Sequence, residues 1–489
     1  MKKLTIYICC AIGLSMATSC KKFLDEKPIS VSTDLSFWKN ESDADKGVAG
    51  GYALLRKTLN KANGLAFYAY GDLPTDEFSA ANTYRFDNIS RMEWGIAVAV
   101  AETGDPMMQM RRYDTFYSAI DQANRCIKFI PTIADEKFSA PTTKNNLLGE
   151  AYFLRAFNYF YMTRIWGDIP LVTESAVITE AVDIPRTKAA DVLAQCIKDV
   201  NTAINLLSWD YPNAGNRAVR ANKGSAYALL AHIYAWQGDY QNCNSATDKI
   251  IDQNFYQYVN RDSYLNIYKG KSTEGIFEIA QSDENEGNTF GIGYYTLKTP
   301  YLTTNTNNAI FSINTANLTS FYSDADDKRF KNGFALTNST DPICIKYSNI
   351  TYVNGQNVIT PVEHNNIIIF RLADIKLLKA EALAALNQFG PARTVLNDVR
   401  AQAGLGNWDG TDANLFEGII DERGRELFLE GHRFYDLVRL ARKTGVVKFG
   451  DEKMTKSDFE AGKYYWPIDP ALMITNKKLT QTPFWSSKL

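Results

Sequence analysis

A mostly α-helical fold, with paired helices forming a right-handed scaffold and long irregular stretches carrying short strands, is what this 489-residue sequence predicts. Three observations predict it. Apolar residues recur at helical spacing over much of the chain, which gives each segment one face to bury. The stretch from Asn222 to Asp252 reads as two such helices joined by a tight turn. Tyr227, Leu230, Ala231, Tyr234 and Ala235 form the apolar face of the first, Gly238 and Asp239 break the run, and Tyr240 opens the second. Leu230, Ala231, Tyr234, Gly238 and Tyr240 stand at the relative spacings of the tetratricopeptide signature, with Cys243 where its small alanine would sit. Finally, helical periodicity fades from Gly64 to Pro106 and again from Phe255 to Asn366. A helix pair cannot bury its face alone, so it needs neighbours, and scaffolds of this type bind rather than catalyse.

Composition excludes several functions. Net charge is −2, which offers nothing to nucleic acid or an anionic membrane surface. Three His in the whole chain weigh against a metal centre or a His-base enzyme, and no cofactor is expected. The aromatic content of 12%, with 27 Tyr and 8 Trp, exceeds what helix faces of Leu and Ala require.

In chain order, residues 1–19 read as a signal peptide. Lys2 and Lys3 supply its positive start, Leu4 to Ala17 its apolar run, and Ala17-Thr18-Ser19-Cys20 its small-residue exit. The run is shorter than the roughly 20 residues of a membrane-spanning helix. It fits an ordinary secretory signal or, the sharper reading, a lipoprotein signal in which Cys20 is acylated and becomes the first residue. Several acyl chains anchor a protein stably where one does not. Residues 20–33 form a polar tether and 34–489 one large domain. Within that domain the helical scaffold covers about 34–63, 109–253 and 366–442, and loop-rich parts cover about 64–108, 254–365 and 443–489. Asp34 is a candidate cap for the first helix. A helix at Leu147–Trp166, dense in aromatics, is stopped by Gly167-Asp168-Ile169-Pro170. Helices are expected at Ile367–Leu386 and Gly390–Gln402, the latter part of a weaker tetratricopeptide-like unit, and one long helix at Leu415–Ala441.

Glu422, Glu426 and Glu430 recur every four residues along one helix face. Paired acids serve glycoside hydrolysis when their carboxyls lie about 5–10 Å apart. Arg423, Arg425 and Arg433 interleave with these, so ion pairing is the expected fate. Asp324, Asp326 and Asp327 lack the Gly and distal Glu of a calcium loop and read as a solvated turn. Cys126, Cys196, Cys243 and Cys344 lack metal-ligand spacing and read as small buried thiols, though a disulfide stays open. His232 and His432 read as packed side chains.

The sequence resembles the SusD/RagB family of outer-membrane nutrient-binding lipoproteins of Bacteroidetes over nearly its whole length. The matching segments are Cys20-Lys-Lys-Phe-Leu-Asp, Phe37-Trp38, Gly149-Glu-Ala-Tyr-Phe-Leu-Arg-Ala-Phe, the helix pair above, Arg371-Leu-Ala-Asp-Ile-Lys-Leu-Leu-Lys-Ala-Glu-Ala-Leu and Leu396-Asn-Asp-Val-Arg. The most specific is Glu422-Arg-Gly-Arg-Glu-Leu-Phe-Leu-Glu-Gly-His-Arg-Phe-Tyr-Asp-Leu-Val-Arg, where Gly424 replaces a more usual charged residue. The resemblance implies four tetratricopeptide-like helix pairs with an irregular part alongside, a lipid anchor at Cys20 on the cell surface, and a SusC-like TonB-dependent outer-membrane transporter as partner. It implies an oligosaccharide or polysaccharide ligand, captured without catalysis. A RagB-like branch takes peptides, and a hydrolase on a helical scaffold is the remaining rival.

A sugar ring has one apolar face and a rim of hydroxyls, so aromatic platforms with Asp, Asn or Arg at their edges suit it. Each stacked ring contributes about 1–2 kcal/mol by area, so a shallow site should bind in the micromolar to millimolar range. The expected site joins Asp76, Tyr84, Arg85 and Trp94 of the first irregular region to Tyr294, Tyr295 and Tyr301 of the second.

Overall fold

The computed structural model describes residues 37–79, 81, 86–99, 102, 104–175, 183–281, 288–304, 307–354, 359–450 and 453–489. The signal peptide, Cys20, the tether, Asp34, Tyr84 and Arg85 lie outside them. Its longer helices are α1 (Glu41–Leu59), α2 (Asp114–Phe129), α3 (Pro141–Trp166), α4 (Ala189–Leu206), α5 (Lys223–Gln237), α6 (Tyr240–Ile251), α7 (Leu372–Ala385), α8 (Phe389–Gln402), α9 (Leu415–Glu426) and α10 (Arg433–Thr444). Neighbours in sequence pack together: α2 lies on α1 and α3, α3 on α4, α4 on α5, and α5 on α6. Although over a hundred residues separate them, α6 packs directly on α7, which in turn contacts α8 and α9. The helical array is thus interrupted along the chain and continuous in space.

Local chemistry sets the helix ends. Asn40 caps α1 through its side-chain oxygen, which accepts from the Asp43 N–H. Asn222 and Ser225 form a reciprocal capping box at the start of α5, and left-handed Gly238 ends that helix. Pro141 opens α3, where its missing N–H costs nothing. The α3 aromatics Tyr152, Phe153, Phe157, Tyr159, Phe160 and Tyr161 are core or packed against it. The four thiols are free and buried, Cys243 among them at the small position of the α5–α6 pair.

Two expectations fail locally. Ile367–Arg371 is not helix but β7, which pairs antiparallel with β1 (Gly275–Ile279). The run Ile-Ile-Ile-Phe is β-branched and aromatic, and such side chains fit a pleated, buried surface. The helix expected over Leu415–Ala441 is split into α9 and α10. Between them Leu429 and Gly431 take positive φ of 56° and 78°. The short helix Ala66–Gly71 crosses there so closely that a Cβ on Gly71 would stand 2.5 Å from Gly431. Gly424, mid-helix in α9, has its own packing reason: a Cβ there would meet Arg433 Nη1 at 2.9 Å.

The remaining strands are β2 (Asn288–Thr289), β3 (Phe334–Ala335), β4 (Ile343–Cys344), β5 (Ile350–Asn354) and β6 (Ile359–Glu363). They make a three-stranded sheet in the order β2-β6-β5 and a separate β3–β4 pair.

Buried charge ties this loop-rich part to the scaffold. Glu422 accepts from Arg329 at 2.7 Å, Arg400 at 2.9 Å and Arg425 at 2.8 Å. Glu426 accepts from Arg261 and Arg371, each at 2.7 Å, and from Arg329 at 3.1 Å. Glu430 accepts from Lys346 and Arg371, each at 2.7 Å. Ion pairing is therefore the fate of all three acids, but with partners mostly remote in sequence. Only Arg425 pairs as the local spacing suggests; Arg423 turns to Asp374 and Asp436, and Arg433 to Asp76. Asp327 is buried on Arg329, so the expected solvated turn holds only for Asp324 and Asp326.

Candidate ligand-binding face

The short helix Gly291–Thr296 carries the centre of the candidate site. It is held by β6. Glu363 Oε2 accepts from the Gly293 N–H at 2.6 Å, and a Cβ at Gly291 would lie 2.5 Å from the same oxygen. Only glycine fits against β6 this closely, and Gly291 also has φ of +62°. Phe290, just before it, has φ of +73°, a region that bulky residues rarely enter and that concentrates at functional sites.

This entry directs a chain of rings. Phe290 meets Tyr294 edge-on at 4.8 Å, and Tyr294 meets Tyr295 at 5.2 Å. Phe86 then contacts Tyr295 at 5.5 Å and Phe311 at 5.6 Å. The chain of rings runs from the surface inward: Phe290 and Tyr294 are half-buried, whereas Tyr295 and Phe311 are core. Tyr295 is fixed there by its hydroxyl, which donates to the Ala62 carbonyl at 3.1 Å. Tyr294 and Tyr352 pack against one small apolar cluster of Leu297, Leu302 and Ile343. The Tyr352 hydroxyl accepts from the Thr303 N–H at 3.1 Å, which fastens the segment carrying Tyr301. Tyr301 itself is 36% exposed, among the most exposed large rings described.

Of the residues expected from sequence, the structure brings Tyr294 and Tyr295 into contact, leaves Tyr301 exposed on the segment fastened by Tyr352, and buries Asp76 and Trp94. Asp76 is 3% exposed and bound by Arg433. Trp94 is fully buried, its ring stacked on Trp466 at 4.1 Å and its Nε1–H donated to the Ile89 carbonyl at 3.1 Å. Tyr295 serves beneath the face, not on it. The reason is common to all three: a segment outside helical periodicity can still fold inward and become core. Phe290 and Tyr352 were missed, and the only local sign of the first is the glycine pair at Gly291 and Gly293 that follows it.

His232 and His432 are both buried, as expected of packed side chains. His232 Nε2 lies 2.8 Å from Asp374 Oδ2, whose other oxygen accepts from Arg423 at 2.9 Å. Burial pushes His432 down to about 4, so it is neutral at ordinary pH.

Residues 233–485, more than half of the chain, match the model of the SusD family. The chain belongs to the SusD family. Residues 22–235 match a second model, described as starch-binding associating with outer membrane. SusD-like protein P38 of Formosa agariphila is 29% identical over 98% of each chain. A SusD homolog from Bacteroides thetaiotaomicron superimposes with a TM-score of 0.79 at 26% identity, covering 91% of this chain and 98% of the other. A laminarin binding SusD-like protein shares the fold, with a TM-score of 0.72 at 22% identity over 91% of this chain and 100% of its own. Among the described residues no helix is long and apolar enough to cross a membrane.

Proposed function

We propose that this SusD-family protein captures oligosaccharides at the cell surface, held there by a lipid on Cys20, and passes them to a SusC-like TonB-dependent transporter without cutting them. The observation that carries the reading is the aromatic face around Tyr294 and Tyr301, with Phe290 and Tyr352 beside them, on a chain whose family includes a laminarin binding member. Rings graded from core to surface give a rigid apolar platform of the kind a pyranose face covers. The absence of cutting is supported by the fate of Glu422, Glu426 and Glu430. Each is buried and engaged by two or three cations, which leaves none of them as a proton donor across a glycosidic bond.

Affinity gels containing neutral polysaccharides, laminarin among them, test capture. Retardation of the wild type and loss of retardation in Tyr294→Ala and Tyr301→Ala are expected. Binding to a peptide array with no retardation on any glycan would replace the reading with peptide capture, and release of reducing sugar would replace it with hydrolysis. Mass spectrometry of membrane-extracted protein tests the anchor, since an unmodified Cys20 would remove it.

A further inference from the structure

A second aromatic corner lines an open groove of about 380 Å³ between residues 92–96 and the segments 458–463 and 484–488. The volume lies within the range of ligand sites, and none of the lining residues belongs to the face around Tyr294. Phe484 and Trp485 meet edge-on at 4.8 Å with their planes 82° apart, so the two rings form adjoining walls. Trp485 is fixed. Its Nε1–H donates to the Tyr465 carbonyl at 2.7 Å, and a Cβ on Gly95 would stand 2.9 Å from its ring. Trp94, itself stacked on Trp466, backs it from the core at 6.3 Å. Phe484 is half-buried, and exposed Lys488 lies over its ring at 3.6 Å. An exposed cation–π contact is weak, and such an ammonium moves off the ring without leaving water. Polar groups surround the corner. Glu93 is exposed, with one carboxylate oxygen accepting from Asn88 Nδ2 at 2.7 Å. Lys463 is aimed by a hydrogen bond to the Lys453 carbonyl at 2.7 Å. With Asp458 and Lys488, the lining holds two carboxylates and two ammoniums.

We infer that this groove is a second carbohydrate contact, where a neutral sugar unit sets its apolar face on Phe484 while Glu93 and Lys463 take its hydroxyls. The inference rests on the glycan reading for its ligand class and extends it from one contact to two. A corner backed by fixed rings loses little freedom when a sugar arrives. Donors and acceptors in equal number suit hydroxyls, which both give and accept hydrogen bonds, better than an ion of either sign. The chain itself joins the two contacts. Phe86 belongs to the cluster of Tyr295, and Glu93 follows seven residues later, at most about 25 Å away. A polysaccharide that touches both binds the second as an intramolecular event, so two weak contacts combine into firm retention.

The test is affinity electrophoresis in gels containing laminarin, starch or xylan, with melting curves alongside. Wild type, Phe484→Ala, Glu93→Ala, Tyr294→Ala and the double variant Phe484→Ala with Tyr294→Ala are compared. On a polysaccharide that retards the wild type, Phe484→Ala should weaken affinity about fivefold or more, as loss of one stacked ring implies. Glu93→Ala removes an exposed side chain and should weaken retention while the protein stays folded. The double variant should be retained less than either single one. Retention of Phe484→Ala and Glu93→Ala equal to the wild type overturns the inference and leaves the face around Tyr294 standing; if Phe484→Ala misfolds, Glu93→Ala alone decides. Loss in those two variants with none in Tyr294→Ala supports this groove and removes the other face. No retardation of the wild type by any of the three polysaccharides overturns this inference and the glycan reading together.

Discussion

Arg433 grips Asp76 with two nitrogens, Nε to Oδ1 at 2.8 Å and Nη2 to Oδ2 at 2.6 Å. The pair locks the first irregular region onto α10, and both residues are almost fully buried. Removing one member of a buried pair leaves the other uncompensated, which costs about 3–5 kcal/mol. Asp76→Ala should therefore lower the melting temperature by several degrees. Where the variant is still folded, its retention on glycan gels should match the wild type. Loss of retention with an unchanged melting curve would return Asp76 to the ligand.

Trp94 and Tyr294 should separate stability from binding. Trp94 is enclosed by Trp466, Phe434 and Trp485, so Trp94→Ala opens a large cavity costing about 3–5 kcal/mol. Tyr294 is half-buried, and its removal should cost little stability but about 1–2 kcal/mol of ligand affinity, roughly five- to thirtyfold. Melting curves and calorimetry on both variants check the split. The reverse pattern would mean that the aromatic platform lies elsewhere.

These contrasts show what local sequence carries. The α5–α6 pair was legible because its signal is short-range: apolar residues at helical spacing, a stop at Gly238 and a small residue at Cys243 all act within one turn or two. The break after α9 was not, because it answers to a helix near Gly71 that approaches from far away in sequence. The same holds for the site. Tyr294 and Tyr301 could be put forward for the candidate face from their place outside helical periodicity, yet nothing near Trp94 announces that Trp466 and Trp485 from the tail will cover it. Periodicity reports which residues share a helix face; it is silent on what an irregular segment folds against.

The glutamate row after Asp421 should make the protein acid-sensitive. Burial alone would raise Glu422, but Arg425, Arg329 and Arg400 outweigh it and hold the carboxyl at about 2; for Glu430, Arg371 and Lys346 likewise outweigh burial and hold it at about 2. Both fall below the ordinary 4.5, so their stabilisation is full above about 4.5 and is lost as pH drops towards about 2. Melting temperature should fall steeply across that window. Glu430→Gln should be less stable at neutral pH, by about 3–5 kcal/mol as for other broken buried pairs, with a shallower acid slope. A wild-type melting temperature unchanged from pH about 5 to about 3 would contradict the network.

Glu363 predicts sensitivity at the other end of the scale. Burial raises its carboxyl to about 8, and the hydrogen bond from the Gly293 N–H only partly opposes this. A carboxyl whose folded value is raised favours the folded state while protonated. Its contribution is intact below the ordinary 4.5 and is lost as pH climbs through about 8. The same oxygen accepts from the helix that carries Tyr294; that hydrogen bond favours the ionised form, so the cost of ionisation is the buried charge itself, placed against the helix that bears the platform. Glu363→Gln keeps a carbonyl for Gly293 and cannot ionise. It should match the wild type near pH about 5 and exceed it by a few degrees in melting temperature near pH about 9. Glycan affinity should follow the same course, declining above pH about 8 in the wild type and holding steady in the variant. If the two proteins lose stability and affinity in parallel as pH rises, Glu363 is not the group that titrates.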